Sequence, residues 1–353
     1  LAGPGSGKTT VLVNCVLNLI KLHHVNASRI LVITFTKDAA VSMRERFLKL
    51  TKEASVVFAT FHSVFFRMIL EEKYIGDARV INEKIKKDLF CEIGRAVNVD
   101  FSSEMYLEEV EKEISFINNT QKSVCEYESP LFEPDVFKKI YTEYQSMKRQ
   151  LNYVDFDDML YLTYEMLSDI KILDRWQKRF THILIDEAQD MNDIQYKIVK
   201  MLGATNNIFM VGDDDQSIYG FRGAYPEALI EFRKQYKDPF ILFMENNFRS
   251  TTEIVGTAAA FIKKNRDRYK KNIVAVRGSG EKVERINVND RAEQYSSLVD
   301  KLAECTEDTA VLYRDNECSI VIADMMLRRG IPFRFIKDSG TFFLSSAVLD
   351  IKA

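Results

Sequence analysis

Residues 2–9 read Ala-Gly-Pro-Gly-Ser-Gly-Lys-Thr, a glycine-rich turn that ends in Lys8 and Thr9. Backbone N–H groups of such a turn, and of the helix it opens, carry partial positive charge and favour phosphate oxygens. In that arrangement Ala2, Gly3, Pro4, Gly5, Ser6 and Gly7 form a cradle for ATP, with Thr10 next in the helix. Lys8 reaches the β/γ-phosphates, and the Thr9 hydroxyl joins the shell of a Mg²⁺ ion. A single loop of this kind also arises by accident, so it needs a partner: a strand that ends in a carboxylate for the same metal. Ile183-Leu-Ile-Asp-Glu-Ala-Gln-Asp190 supplies one. Its apolar run is expected to be a buried strand with Asp186 at the carboxyl end, where open α/β sheets place ligands. Asp186 is the candidate Mg²⁺ ligand and Glu187 the candidate general base for an attacking water. Two acids after a strand otherwise serve as the negative charge at a helix start. The phosphate loop in the same chain favours the catalytic reading.

Two further segments follow apolar runs. Gln216, in Val211-Gly-Asp-Asp-Asp-Gln-Ser217, is expected near the nucleotide edge of the sheet, where a neutral amide can bond the γ-phosphate or the water. Tyr219, Phe221 and Arg222 come next on a segment that reads as an exposed loop. Aromatics beside Arg are what single-strand stacking platforms use, although an isolated ring more often packs a core. Glu245-Asn-Asn-Phe-Arg-Ser250 follows the run Phe240–Met244. Arg249 there suits an arginine finger reaching across a cleft between domains, and Phe248 a ring for the nucleotide base.

Elements must hold these groups in place. Apolar runs at Ile30–Phe35, Val56–Thr60, Ile183–Asp186 and Ile208–Gly212 alternate with helical periodicity and imply a parallel sheet of βαβ units. Runs at Phe240–Met244, Val283–Val288, Ala310–Tyr313 and Pro332–Ile336 imply a second sheet. Between about Leu70 and Leu151 long helical segments take over with no convincing strand, which reads as an insertion. Glu104–Glu128 within it holds seven Glu against two Lys and reads as a solvated face. The run Lys263–Lys271 has six basic residues and one acid, and taken alone reads as a solvated helix end and loop ahead of a phosphate-tracking patch. Only Leu1 precedes the phosphate loop, so the strand that should feed it is expected to lie upstream, and the chain to begin inside a domain.

Composition excludes other classes. The 353 residues are 46% hydrophobic and 29% charged, with 14 Gly and 6 Pro, which suits two or three globular domains rather than a linker-rich chain. No apolar run approaches the ~18 residues that span a bilayer, and no secretory leader is evident, so a cytoplasmic protein is expected. A net charge of −3 argues against a wholly basic binding module and leaves room for a local basic groove. Five cysteines without a C-x-x-C pair read as small buried hydrophobes, and no structural metal is expected.

Together the motifs resemble the UvrD/Rep/PcrA family of superfamily 1 DNA helicases. Besides those above, the resemblance rests on Ile-Thr-Phe-Thr-Lys-Asp-Ala-Ala at 33–40, Ala-Thr-Phe-His-Ser at 59–63, Asp-Phe-Asp-Asp-Met-Leu at 155–160, and Val-Leu-Tyr-Arg at 311–314. It implies a P-loop α/β fold. A first RecA-like lobe would take residues 1–70 and 152–238 without its first strand, a helical insertion 71–151, and part of a second RecA-like lobe 239–353. It also implies ATP- and Mg²⁺-dependent translocation on single-stranded DNA, usually 3′→5′, with unwinding at single-strand/duplex junctions in repair, replication restart or recombination. Phe35, Thr36, Phe61 and His62 match segments that line the family's DNA track, as do Tyr219, Phe221 and Arg222. Phe248 stands where the family usually has an adenine-stacking Tyr, and Phe221 where many members have Trp. The family's motif before the phosphate loop and its later second-lobe motifs have no counterpart in the 353 residues, which alone are expected to be inactive as a helicase. A motor subunit of a helicase–nuclease complex, with repair or nuclease partners, or a non-unwinding regulatory ATPase are the alternatives.

Overall fold

The computed structural model describes residues 1–336 except 102, 103, 121, 219, 221, 222, 226, 231, 237, 267 and 315. These fall into two compact units, Leu1–Lys282 and the described part of Val283–Ala353.

The centre of the first unit is a four-stranded parallel sheet. Its strands are β1 (Ile30–Thr34), β2 (Val57–Thr60), β5 (His182–Ile185) and β6 (Asn207–Met210), in the order β2-β1-β5-β6. All five residues of β1 are buried, as a central parallel strand with both faces covered requires. The glycine-rich turn opens α1 (Lys8–Lys21), whose Leu12, Val13, Val16 and Leu17 pack on one face of the sheet with Val32 and Leu184. On that face too lies α2 (Lys37–Leu50), through Met43 and Phe47. The other face is covered by α3 (Phe61–Glu71), α7 (Phe156–Met166), α8 (Ile170–Arg179) and α9 (Asp193–Leu202). Register aligns Ile33 with Ala59 and Ile185, and Ile185 with Met210, so the carboxyl ends of these strands form one row.

The insertion is built on a two-stranded neck. β3 (Arg79–Val80) pairs in parallel with β4 (Tyr153–Val154), zipping its entry to its exit; the sequence held no sign of so short a strand as β3. Between them α4 (Glu83–Val97), α5 (Glu104–Thr120) and α6 (Pro134–Gln150) enclose a separate core around Phe90, Phe101, Val110, Phe137 and Ile140. The Phe90 and Tyr144 rings stack at 4.8 Å. The acidic stretch is not wholly the solvated face expected: Glu108 and Glu109 are exposed, but Glu111 pairs with Lys86 at 2.9 Å and Glu113 is buried. Lys148 is buried where the insertion meets α7, its ammonium bonded to Asp155 and, at 2.9 Å, to Asp158.

Beyond β6, α10 (Glu227–Ile230) and α11 (Phe232–Gln235) are short, and α12 (Thr252–Ile262) connects the two strands of a two-residue parallel pair, β7 (Asn246–Asn247) with β8 (Val274–Ala275). The second sheet expected from apolar runs differs here. Among the described residues, Val283–Val288, Ala310–Tyr313 and Pro332–Ile336 make no ladder, and Phe240–Met244 contributes one parallel bridge, Met244 to Ala2. Phe240, Val283 and Leu312 are exposed (82%, 52% and 95%), so these runs lack the neighbours and covered faces that hold a parallel strand. In the second unit α13 (Arg291–Glu304) packs on α14 (Asn316–Arg328) through Val299, Leu302, Ile322 and Met326. The cysteines are not the buried hydrophobes expected: Cys125 and Cys305 are exposed and the other three half-buried. Among the described residues no helix is long and apolar enough to cross a membrane.

Replacing Lys148 with Met leaves two largely buried carboxylates unpaired. Urea denaturation at neutral pH is expected to show a loss of about 3–5 kcal/mol; a loss below about 1 kcal/mol contradicts this role for the ammonium.

Candidate nucleotide site and adjoining cleft

The turn before α1 is shaped by two glycines with positive φ, Gly5 at +66° and Gly7 at +87°. Gly7 caps α1 in the left-handed region, and Ser6 locks the turn by donating to the Gly3 carbonyl at 2.6 Å. The turn is anchored at its base, where Ala2 N–H donates to the Gly212 carbonyl and Gly3 N–H to that of Met244. Lys8 stands on the first turn of α1 with its ammonium 3.2 Å from a Glu187 carboxylate oxygen, and Thr9 follows it, half-buried.

Asp186 emerges from the end of β5 and is buried, 5% exposed. Burial and the Glu187 charge push its carboxyl up to about 6, while Lys8 and the Glu187 N–H, 3.1 Å from its Oδ1, act the other way. Glu187 adopts a left-handed backbone, φ +48°, an uncommon conformation for a side-chain-bearing residue and one that clusters at functional sites. It also accepts from the Gln189 amide at 3.1 Å. A hard divalent cation fits here by the chemistry of the donors: Asp186 and the Thr9 hydroxyl both offer oxygen, and burial beside a second acid leaves the Asp186 carboxyl raised in spite of Lys8.

The loop after β6 is tied to the same place. Gln189 accepts from the Asp213 N–H at 2.9 Å, and the Gln216 amide donates to the Asp213 carboxylate at 2.6 Å. The segment from Asn247 to Arg249 lies directly on the phosphate turn. The Asn247 amide donates to the Pro4 carbonyl at 2.8 Å and the Phe248 N–H to that of Gly5 at 2.9 Å. A Cβ on Gly5 would stand 2.8 Å from Asn247 Oδ1 and Arg249 Cβ. Arg249 falls in the same compact unit as the turn. The side chains of Phe248 and Arg249 are exposed.

A cavity of about 620 Å³ opens beside this site between the sheet and the insertion, lined in part by Phe35, His62, Phe156, Asp157, Asp190 and Asn192. Phe35 and Phe156 are exposed (37% and 55%), and His62 meets Phe156 edge-on at 5.6 Å. Thr36 caps α2 at the rim by accepting from the Ala39 N–H. Phe61 is placed otherwise than on a DNA-facing surface. It is 2% exposed, because its position at the start of α3 turns it into the core, where it backs Phe35 edge-on at 6.0 Å. Tyr219, Phe221 and Arg222 lie outside the described residues.

Residues 1–237 match the UvrD/REP helicase N-terminal domain, and residues 242–353 the UvrD-like helicase C-terminal domain. The chain belongs to the UvrD/REP helicase family. It is 33% identical over 377 residues to YjcD of Bacillus subtilis strain 168, covering 100% of this chain and 48% of that protein. Identity to the ATP-dependent DNA helicase PcrA is 31% for Leuconostoc citreum, over 372 residues (100% and 49%), and 32% for Staphylococcus aureus strain Mu50, over 356 residues (95% and 48%). The chain spans about half the length of these curated relatives.

Sequence reasoning about this family member missed four residues. Asn247 clamps the phosphate turn, and its Oδ1 also accepts from the Arg249 and Ser250 N–H groups at 2.9 and 2.8 Å; an Asn opening a turn was the available signal. Phe156, within Asp-Phe-Asp-Asp-Met-Leu at 155–160, carries no residue-type signal that separates it from a core ring. Arg268 and Lys271 sit in the basic run and look like solvated charge, yet both are paired inward with Asp213–Asp215.

Asp157, in the wall of the cleft, accepts from Ser115 at 3.1 Å and from the Asn118 and Asn119 amides at 3.3 Å. Burial, then the Asp155 charge, pushes its carboxyl up to about 6. A carboxyl with a raised folded pKa holds its proton more tightly folded than unfolded, so its contribution to stability falls as pH rises from about 4 through 6. Asp157→Asn keeps the uncharged form. Its stability relative to the parent is expected to increase over that window in denaturation measured against pH; a difference independent of pH contradicts the shift.

Proposed function

We propose that the intact protein is an ATP-dependent helicase or translocase on single-stranded DNA. The observation that supports this best is the meeting of Lys8, Asp186, Glu187 and the Gln216 loop at one edge of the sheet, beside a cleft with exposed rings. Family likeness supplies the direction, 3′→5′, and the setting in repair, replication restart or recombination.

In this reading the turn's N–H groups and Lys8 hold the phosphates, and Phe248 offers an exposed ring to the base. Thr9 and Asp186 would hold Mg²⁺, which when bound neutralises charge on the phosphate oxygens. Lys8 pairs with Glu187. A γ-phosphate competes for the ammonium, releasing the carboxylate to take a proton from the attacking water. Gln216 orients that water or the phosphate, and Arg249, already against the turn, meets the charge that develops on it. Phe35, His62 and Phe156 face the strand, with Phe61 bracing Phe35 from behind. Exposed rings in the cleft favour a motor over a regulatory ATPase, which has no need of them.

Glu187→Gln is expected to lower ATP turnover by about 10²–10⁴-fold while ATP affinity stays near the parent's. DNA-stimulated turnover at the parental rate in that variant contradicts the assignment. Phe156→Ala is expected to weaken single-stranded DNA binding by about 1–3 kcal/mol in a fluorescence titration, and unchanged affinity removes Phe156 from the track.

A further inference from the structure

Asp213, Asp214 and Asp215 place three carboxylates within 4.8 Å of one another just before Gln216. Such a trio repels itself unless a cation sits among its members, and here the cation is a side chain. The Lys271 ammonium bonds Asp213 Oδ1, Asp214 Oδ1 at 2.5 Å and Asp215 Oδ2 at 2.9 Å, with its own side chain 1% exposed. Arg268 adds a two-pronged pair to Asp215, both bonds at 2.6 Å, and the Tyr269 N–H donates to Asp214 at 2.7 Å. Although burial works against both charged forms, these bonds hold Lys271 above its ordinary value and Asp215 below. The ammonium fills the place a metal ion would take.

The same stretch reaches the other side of the site. The Asn272 N–H donates to the Glu245 carboxylate at 2.5 Å, and the Val274 and Val276 N–H groups to the Glu245 and Asn247 carbonyls at 2.8 and 2.9 Å. Residues 268–276 therefore hold the loop that carries Gln216 on one flank and the segment that carries Asn247 and Arg249 on the other.

We propose that Lys271 is a positioning residue, whose clasp on Asp213–Asp215 sets where Gln216 stands relative to the phosphate turn and Arg249. The clasp rests on the reading of Gln216 given above. It gives the basic run a role other than tracking phosphate, and it works through Asp213, which both receives the Gln216 amide and donates to Gln189.

The test is steady-state ATP hydrolysis by the intact protein with single-stranded DNA. Lys271→Met is expected to lower kcat about tenfold or more with the KM for ATP within about threefold of the parent. Adding Asp214→Asn removes one uncompensated charge without touching Gln216, and is expected to restore kcat to within about threefold of the parent. Parental kcat in Lys271→Met overturns the clasp. So does a joint loss of kcat and ATP binding that Asp214→Asn leaves unrepaired, which marks a purely structural role. Gln216→Ala, measured alongside, separates the two claims. If it is slow while Lys271→Met is normal, the clasp alone fails; if it turns over at the parental rate, the reading of Gln216 fails and the clasp with it.

Discussion

The site depends on one alignment, the parallel register of β1, β5 and β6 against the amino end of α1. Ile33, Ile185 and Met210 stand level, so Asp186, Glu187 and the Asp213 loop leave the sheet in one row. The phosphate turn is bonded into that row through Ala2 and Gly212. A slip of one residue in a strand would send each side chain to the opposite face and separate the acids from Lys8. Burial of all five β1 residues is what makes such a slip costly.

Charge is handled the same way around this frame. Acids gather in groups around a cation: Lys8 pairs with Glu187 next to buried Asp186, Lys271 sits among Asp213–Asp215, and Lys148 lies between Asp155 and Asp158. Breaking such a group by removing one partner is far more disruptive than losing a surface pair, because the remaining charge stays out of water. The second and third groups lie on the elements that flank the nucleotide turn and the cleft, so electrostatic order there and the geometry of the site are one matter. The net charge of −3 is silent on this.

Much of the frame was legible because parallel strands leave a strong trace. The runs at Ile30–Phe35 and Ile183–Asp186 are continuous, β-branched and apolar, and the phosphate turn and Asp186–Glu187 were placed by residue type alone. The insertion announced itself by losing that pattern. What stayed hidden was pairing over long separations. Nothing local distinguishes Lys271, whose charge is satisfied by residues 56–58 positions away, from its exposed neighbour Lys270. Phe61 and Phe35 look alike in sequence, and only the start of α3 directs one inward and the other toward the cleft. The apolar runs after Phe240 misled for the converse reason, since a run specifies a strand only where neighbours and covered faces exist.

The central claim is that nucleotide chemistry at the sheet edge answers to a strand lying in the cleft beside it. It is tested most directly by ATP turnover of the intact protein, measured with and without single-stranded DNA under saturating Mg²⁺ and ATP. The account predicts that turnover is slow alone and rises severalfold when the DNA is added. A rate indifferent to DNA, in protein that demonstrably binds it, would contradict the coupling and favour a regulatory ATPase.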